Sequence, residues 1–108
     1  MESSAYSLEI NNELINAQIA LADNNEGKAR VCARRAVQIR LQDKIGNSTG
    51  REFSAISGLQ YLAETPEIPQ NIRLAALRLQ GGLRAKIEGN IFSENPIEDA
   101  EVIIRYFD

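Results

Sequence analysis

The sequence predicts an all-α protein, a single small antiparallel helical bundle of about five helices. Three observations predict this fold class. Apolar residues recur at spacings of three and four along most of the chain, which is the period of a helix face. Polar runs, glycines and prolines divide the chain into segments of helical length. No stretch alternates with a period of two for long enough to indicate a strand. The chain has 108 residues, so we predict one domain over residues 1–108.

The first predicted helix covers about residues 8–22. Residues 23–25, Asp-Asn-Asn, end it and also suit the start of the next helix. Short polar side chains accept hydrogen bonds from the first free N–H groups of a helix, which makes them good caps. The apolar set of the first helix is Leu8, Leu14, Ile15, Ala17, Ile19, Ala20, Leu21 and Ala22.

The second predicted helix, residues 26–45, carries an unusually small apolar face. Side chains of this size allow a neighbouring helix backbone to come close. Residues 46–50, Gly-Asn-Ser-Thr-Gly, predict the end of the helix and a loop. The face consists of Ala29, Cys32, Ala33, Ala36 and Ile39.

Three further helices are predicted over residues 52–64, 69–87 and 97–107. Prolines separate them, because proline disfavours helical geometry in the residue before it. The glycine pair at residues 81–82 predicts a kink or an end within the fourth helix. The predicted core faces are Phe53, Ile56, Leu59, Tyr61 and Leu62, then Ile72, Ala75, Ala76, Leu79 and Leu83, then Ala100, Ile103, Ile104 and Phe107.

The composition argues against most catalytic chemistry. The chain contains no histidine, which removes the commonest general base and metal ligand. Its single cysteine, Cys32, excludes an internal disulfide and zinc sites of the Cys/His type. No glycine-rich phosphate loop is present. We therefore predict no catalytic residues, no metal site, no cofactor and no enzymatic activity.

The first residues do not resemble a signal peptide, since no basic segment leads into an apolar stretch. No apolar run approaches the ~20 residues of a membrane span. The expectation from these features is a cytoplasmic protein that does not enter a membrane.

Basic residues are concentrated in the second and fourth predicted helices, although the net charge is −3. Arginine suits bidentate contacts with phosphate, so one hypothesis is RNA, DNA or nucleotide-phosphate binding. The alternative is that acidic residues of the first and last helices, such as Glu9, Glu13, Glu98 and Glu101, neutralise these arginines inside the bundle. The candidate phosphate-binding residues are Arg30, Arg34, Arg35, Arg73, Arg78 and Arg84.

The leading hypothesis is a module that acts by association, as a homodimer or with a protein partner. Two apolar pairs suggest the surface: Ile91 and Phe92 lie outside any clear helix, and Tyr106 and Phe107 lie near the chain end. Exposed together, such residues would form an apolar patch suited to a partner.

Three stretches share a recognisable layout. AQIALADNNEGKARVCARRAVQIRLQDKIG joins an alanine-rich helix to a long second helix through a short polar turn, and FSAISGLQYLAE and PIEDAEVIIRYF follow. This order resembles the HEPN family of small helical-bundle proteins and implies that fold.

The ribonuclease members of that family carry an arginine followed by four to six residues and then a histidine. Arg84 matches the arginine position, but Asn90 stands where the histidine would be. An amide cannot move a proton. The resemblance therefore implies a non-nuclease binding or assembly module, with a divergent ribonuclease dependent on Arg84 as the enzymatic alternative.

Overall fold

The computed structural model describes residues 5–81, 87–89 and 91–108, and it confirms the all-α prediction. Within these ranges no residue is in a β-strand. The fold is a small bundle whose five main helices match the predicted segments in order. They are α1 (Ala5–Ala22), α2 (Glu26–Leu41), α3 (Ala55–Glu64), α4 (Gln70–Gln80) and α5 (Pro96–Tyr106).

Helices α1 and α2 form an antiparallel hairpin across a three-residue turn. Asn25 caps α2, as predicted, by accepting a 3.1 Å hydrogen bond from the backbone N–H of Lys28. The open end of the hairpin is held by Asn47, whose side-chain amide donates to the Tyr6 hydroxyl at 2.6 Å. Between these ends the helices meet through small residues, so their backbones lie close together. The buried small residues are Ala17 and Ala20 of α1 and Ala29, Cys32, Ala33 and Ala36 of α2.

The prediction that Gly46 ends the second helix is wrong. The helix continues through a π-helical turn, Gln42–Gly46, and one further turn, Asn47–Thr49. It ends at Gly50, which has a φ of 73°, a left-handed conformation that glycine adopts without strain. Gly46 itself lies within the helix and is buried. Glycine is needed there because a Cβ would overlap the Gln42 side chain and the Arg51 carbonyl oxygen.

The main core lies where α3, α4 and α5 pack on α2, and α1 adds Ile10 to it. Helix α3 begins at Ala55 rather than at residue 52, because Ser54 caps it in a reciprocal box with Ser57. The prediction that Ile56 faces the core is wrong, since its side chain is 66% exposed. The largest fully buried residues of the core are Leu41, Leu59, Leu62, Leu79, Ile103 and Val37.

The break predicted at the glycine pair is confirmed, because α4 ends at Gln80 and Gly81 adopts an extended conformation. A Cβ on Gly81 would collide with the backbone of Ile91 and Phe92, so glycine allows that segment to pass close by. The rest of the predicted fourth helix, residues 82–86, lies outside the described residues. None of the described helices is both long enough and apolar enough to cross a bilayer.

Ala36 provides a test of the small face of α2. It is fully buried in the main core, so Ala36→Glu would force a larger, charged side chain into a tightly packed apolar site. We expect the free energy of unfolding to fall by more than about 3 kcal/mol, measured by chemical denaturation. Gln60→Glu introduces the same acid at an exposed position of α3 and should leave the midpoint unchanged. An unchanged midpoint for Ala36→Glu would contradict the packing described above.

Candidate functional site

The most exposed large apolar residues of the α1–α2 hairpin lie on one side of α1. The side chains of Leu8, Ile15 and Ile19 are 61%, 51% and 55% exposed. Asn12 and Ala22 are also exposed, and both lie on the same side of the helix because residues three and four apart share a face. We call these five residues, Leu8, Asn12, Ile15, Ile19 and Ala22, the outer face of α1.

A second apolar stripe on α1 faces the bundle. Ile10, Ala17 and Ala20 are buried. Two positions along a helix correspond to about 200° of rotation, so these three residues lie on the opposite side from the exposed Leu8, Ile15 and Ala22. The inward stripe also includes Leu14 and Leu21, which are half-buried against the core clusters, so α1 carries apolar side chains both toward the bundle and on its outer face. An ordinary surface helix exposes polar residues opposite its apolar stripe, and the outer face of α1 departs from that pattern.

The outer face of α1 also lacks charge. Between Glu9 and Asp23 the only charged residue is Glu13, which is half-buried and lines a groove with Arg35 and Gln38 of α2. Along the middle of the outer face the exposed flanking residues are the amides Asn11, Asn16 and Gln18, and the exposed acids Glu9 and Asp23 lie at its two ends. Depletion of charge around exposed apolar residues is the compositional mark of the centre of a protein interface.

The four interface candidates from the sequence are split by the structure. Ile91 is 60% and Tyr106 43% exposed. Phe92 is half-buried, and its ring centre lies 5.4 Å from the guanidinium carbon of Arg30. Phe107 packs against the main core, with its ring 4.9 Å from that of Tyr106. Each pair thus exposes one residue and packs the other, so neither pair forms an apolar patch by itself.

The first two candidate arginines act as internal donors. Arg30 is buried and donates to the carbonyl oxygen of Ser93. Arg34 donates through Nε to the carbonyl oxygen of Leu79 at 2.7 Å, and through Nη2 to those of Gln80 and Gly81. Burial lowers the pKa of Arg34, and the nearby Arg30 lowers it further. Arg34 therefore satisfies the free carbonyl groups at the end of α4.

Arg73 and Arg78 are also engaged within the chain. Arg73 Nε donates to the Ile68 carbonyl oxygen at 2.9 Å. Arg78 pairs with the buried Asp99, with 2.8 Å between Nη2 and Oδ1, and the hydrogen bond with Asp99 raises the pKa of Arg78. Asp99 accepts a further 2.6 Å hydrogen bond from Ser93 Oγ.

Only Arg35 of the described candidate arginines is exposed without a hydrogen bond or ion pair among the described residues, and Arg84 lies outside them. The partners are backbone carbonyls, Asp99 and Glu26, whose Oε1 lies 3.8 Å from Arg30 Nη2, rather than the four glutamates that the sequence suggested. The structure therefore does not bring the described arginines together on one open surface.

Cys32 is buried between α1 and α2. Burial raises the pKa of its thiol, and the neighbouring Glu13 carboxylate raises it further. The thiol therefore stays protonated over a wider pH range than usual, which makes it a packing residue rather than a nucleophile. Among the described residues no three acidic or cysteine side chains are grouped closely enough to hold a metal ion.

In comparisons with known proteins, no protein-family model, no curated protein and no solved structure matches this chain.

The neighbouring residues Arg34 and Arg35 allow a matched test of the arginines. Arg34→Ala leaves carbonyl groups at the end of α4 without donors, and we expect it to lower the free energy of unfolding by about 1–3 kcal/mol. Arg35→Ala removes the same charge from an exposed position, and it should change the free energy of unfolding by less than about 0.5 kcal/mol. Urea denaturation of the two variants compares them directly. Equal effects would contradict a structural role for Arg34.

Proposed function

We propose that this protein is a non-enzymatic helical module that acts by associating with another protein surface through the outer face of α1. The observation that carries the proposal is the row of exposed Leu8, Ile15 and Ile19 on an uncharged helix face. Contiguous exposed apolar residues with a polar rim mark interaction sites in folded proteins.

The energetics support this use of the face. None of the three side chains belongs to the two buried core clusters, so their apolar surface contributes little to the stability of the fold. Completing the burial of a half-exposed leucine or isoleucine would contribute about 1 kcal/mol. Burial of all three side chains by a partner surface therefore contributes to the binding free energy without any change in the fold.

The HEPN-like layout is compatible with this proposal, because the chain has no histidine with which to complete the ribonuclease motif of that family. Membership of that family is itself a proposal and rests only on the order and composition of the helices.

A photocrosslinker placed on the outer face tests the proposal. p-Benzoylphenylalanine at position 15 should form adducts of defined mass in cells that produce the protein, because a partner covers that face. The control is the same group at position 56, which is even more exposed but lies on α3. Adducts are identified by mass spectrometry.

An identified partner must then bind the purified chain and lose at least about tenfold in affinity with Ile15→Arg. Equal adducts at positions 15 and 56, or none at either, would contradict the proposed function.

The nucleic-acid alternative leads to a separate prediction. We expect no salt-dependent binding of short single-stranded RNA or duplex DNA, because Arg30, Arg34, Arg73 and Arg78 already have acceptors within the chain. Fluorescence anisotropy at low and moderate salt measures this. Binding that weakens steeply with salt and disappears in Arg84→Ala would instead support the nucleic-acid hypothesis.

A further inference from the structure

We propose that the protein that covers the outer face of α1 is a second copy of this chain, with α1 packed in parallel against α1 across a two-fold axis. This inference rests on the proposed function and names its partner. It follows from the spacing of the outer face, the identity of Asn12 and the charge of the chain.

The outer face follows a heptad spacing. Its five residues are separated by four, three, four and three positions, from Leu8 through Asn12, Ile15 and Ile19 to Ala22. An average spacing of 3.5 residues keeps a stripe facing a second helix along its whole length, which is the condition for a two-helix seam. In heptad terms Leu8, Ile15 and Ala22 take one seam position, and Asn12 and Ile19 take the other.

The seam contains one polar residue, Asn12, which is exposed in the single chain. An asparagine side chain has both a donor and an acceptor group, so it can pair with an identical asparagine. A lone asparagine in an apolar seam is known to set register and oligomeric state at some cost in stability. An unrelated apolar groove would leave that amide without a partner, whereas a second copy in parallel supplies one.

The charge of the seam favours self-association over binding to an oppositely charged partner. Each chain has a net charge of −3, so two copies repel unless the surfaces that meet are neutral. The flanking positions Asn11, Asn16 and Gln18 are neutral. Glu9 and Glu13 line the groove toward α2, and Asp23 follows the last seam residue, Ala22. A two-fold contact brings each residue near its own equivalent, and here that contact places no like charges in the seam.

The geometry leaves room for a second copy. The residues of α1 that contact the rest of the chain, such as Ile10 and Ala17, lie opposite the seam. The helix has 18 residues and is about 27 Å long. A single helix pair of this length is a small interface, below the ~1,200 Å² of standard complexes, so a reversible dimer of micromolar affinity is expected.

Analytical ultracentrifugation from micromolar to millimolar concentration tests the dimer. The wild-type chain should shift from monomer to dimer, and Ile15→Arg should raise the dissociation constant at least about tenfold by placing charges in the seam. Ile56→Arg, at a more exposed isoleucine outside the seam, should behave as wild type. Unchanged thermal unfolding of the dilute variants shows that each is folded.

The role of Asn12 has its own readout. Asn12→Asp should weaken the dimer at neutral pH, because two carboxylates then face each other, and acidification that protonates them should restore it. Asn71→Asp, at an exposed position of α4, should show no such pH dependence. Equal behaviour of the two variants would overturn the Asn12 contact.

A disulfide trap reports the contact directly. With Cys32→Ala as background, Ile15→Cys should form a covalent dimer under mild oxidation far faster than Ile56→Cys. Equal rates, or a wild-type chain that stays monomeric at every concentration, would overturn the second-copy proposal. If the photocrosslinker at position 15 still captures a different protein in cells, the proposed function stands although the second-copy proposal fails. If that photocrosslinker captures no protein, both proposals fail.

Discussion

The close contact between α1 and α2 through small side chains is the constraint on which the rest of the structure depends. Ala17 and Ala20 meet Ala29 and Cys32 in one buried cluster. Alanines bury little area each, so such a contact is stable only when the two backbones lie close and leave no void. The positions of α1 that face Ala29 and Cys32 directly must therefore stay small. Leu14 and Leu21 pack beside this contact, whereas Ile15 and Ile19 point away from the bundle.

Helix α2 also explains the uneven charge of the sequence. Its arginines extend from the small face to segments that lack donors of their own: Arg30 reaches the backbone at Ser93, and Arg34 reaches the end of α4. Buried carbonyl groups need hydrogen-bond partners, and a guanidinium offers several donors in a fixed plane. A cluster of arginines in a sequence can thus either bind a ligand or donate hydrogen bonds within a small bundle. Here Arg30 and Arg34 donate within the bundle.

Helical periodicity was sufficient to predict the five helices and the small face of α2, because those features depend on local spacing. The boundaries depended on single contacts that spacing does not reveal. Ser54 starts α3 later than expected, and the fit of Gly46 against Gln42 lets the chain stay helical beyond α2 up to Gly50. The orientation of α1 was harder to predict, because its apolar residues surround much of the helix. Only the small face of α2 decides which stripe is buried. The signal for the outer face was nevertheless present as the heptad spacing from Leu8 to Ala22.

This arrangement separates folding from association on two sides of one helix. Ile10, Ala17 and Ala20 hold α1 to the bundle, whereas Leu8, Ile15 and Ile19 belong to neither core cluster. Because the second set is largely solvated in the single chain, the free energy from desolvating it is still available when a second surface arrives. The cost of association is also low, since the side chains are already held on a formed helix and little backbone entropy is lost. A helix with one apolar side packed on the bundle and a second apolar side exposed can therefore stabilise the bundle and present a preformed, neutral surface for a partner.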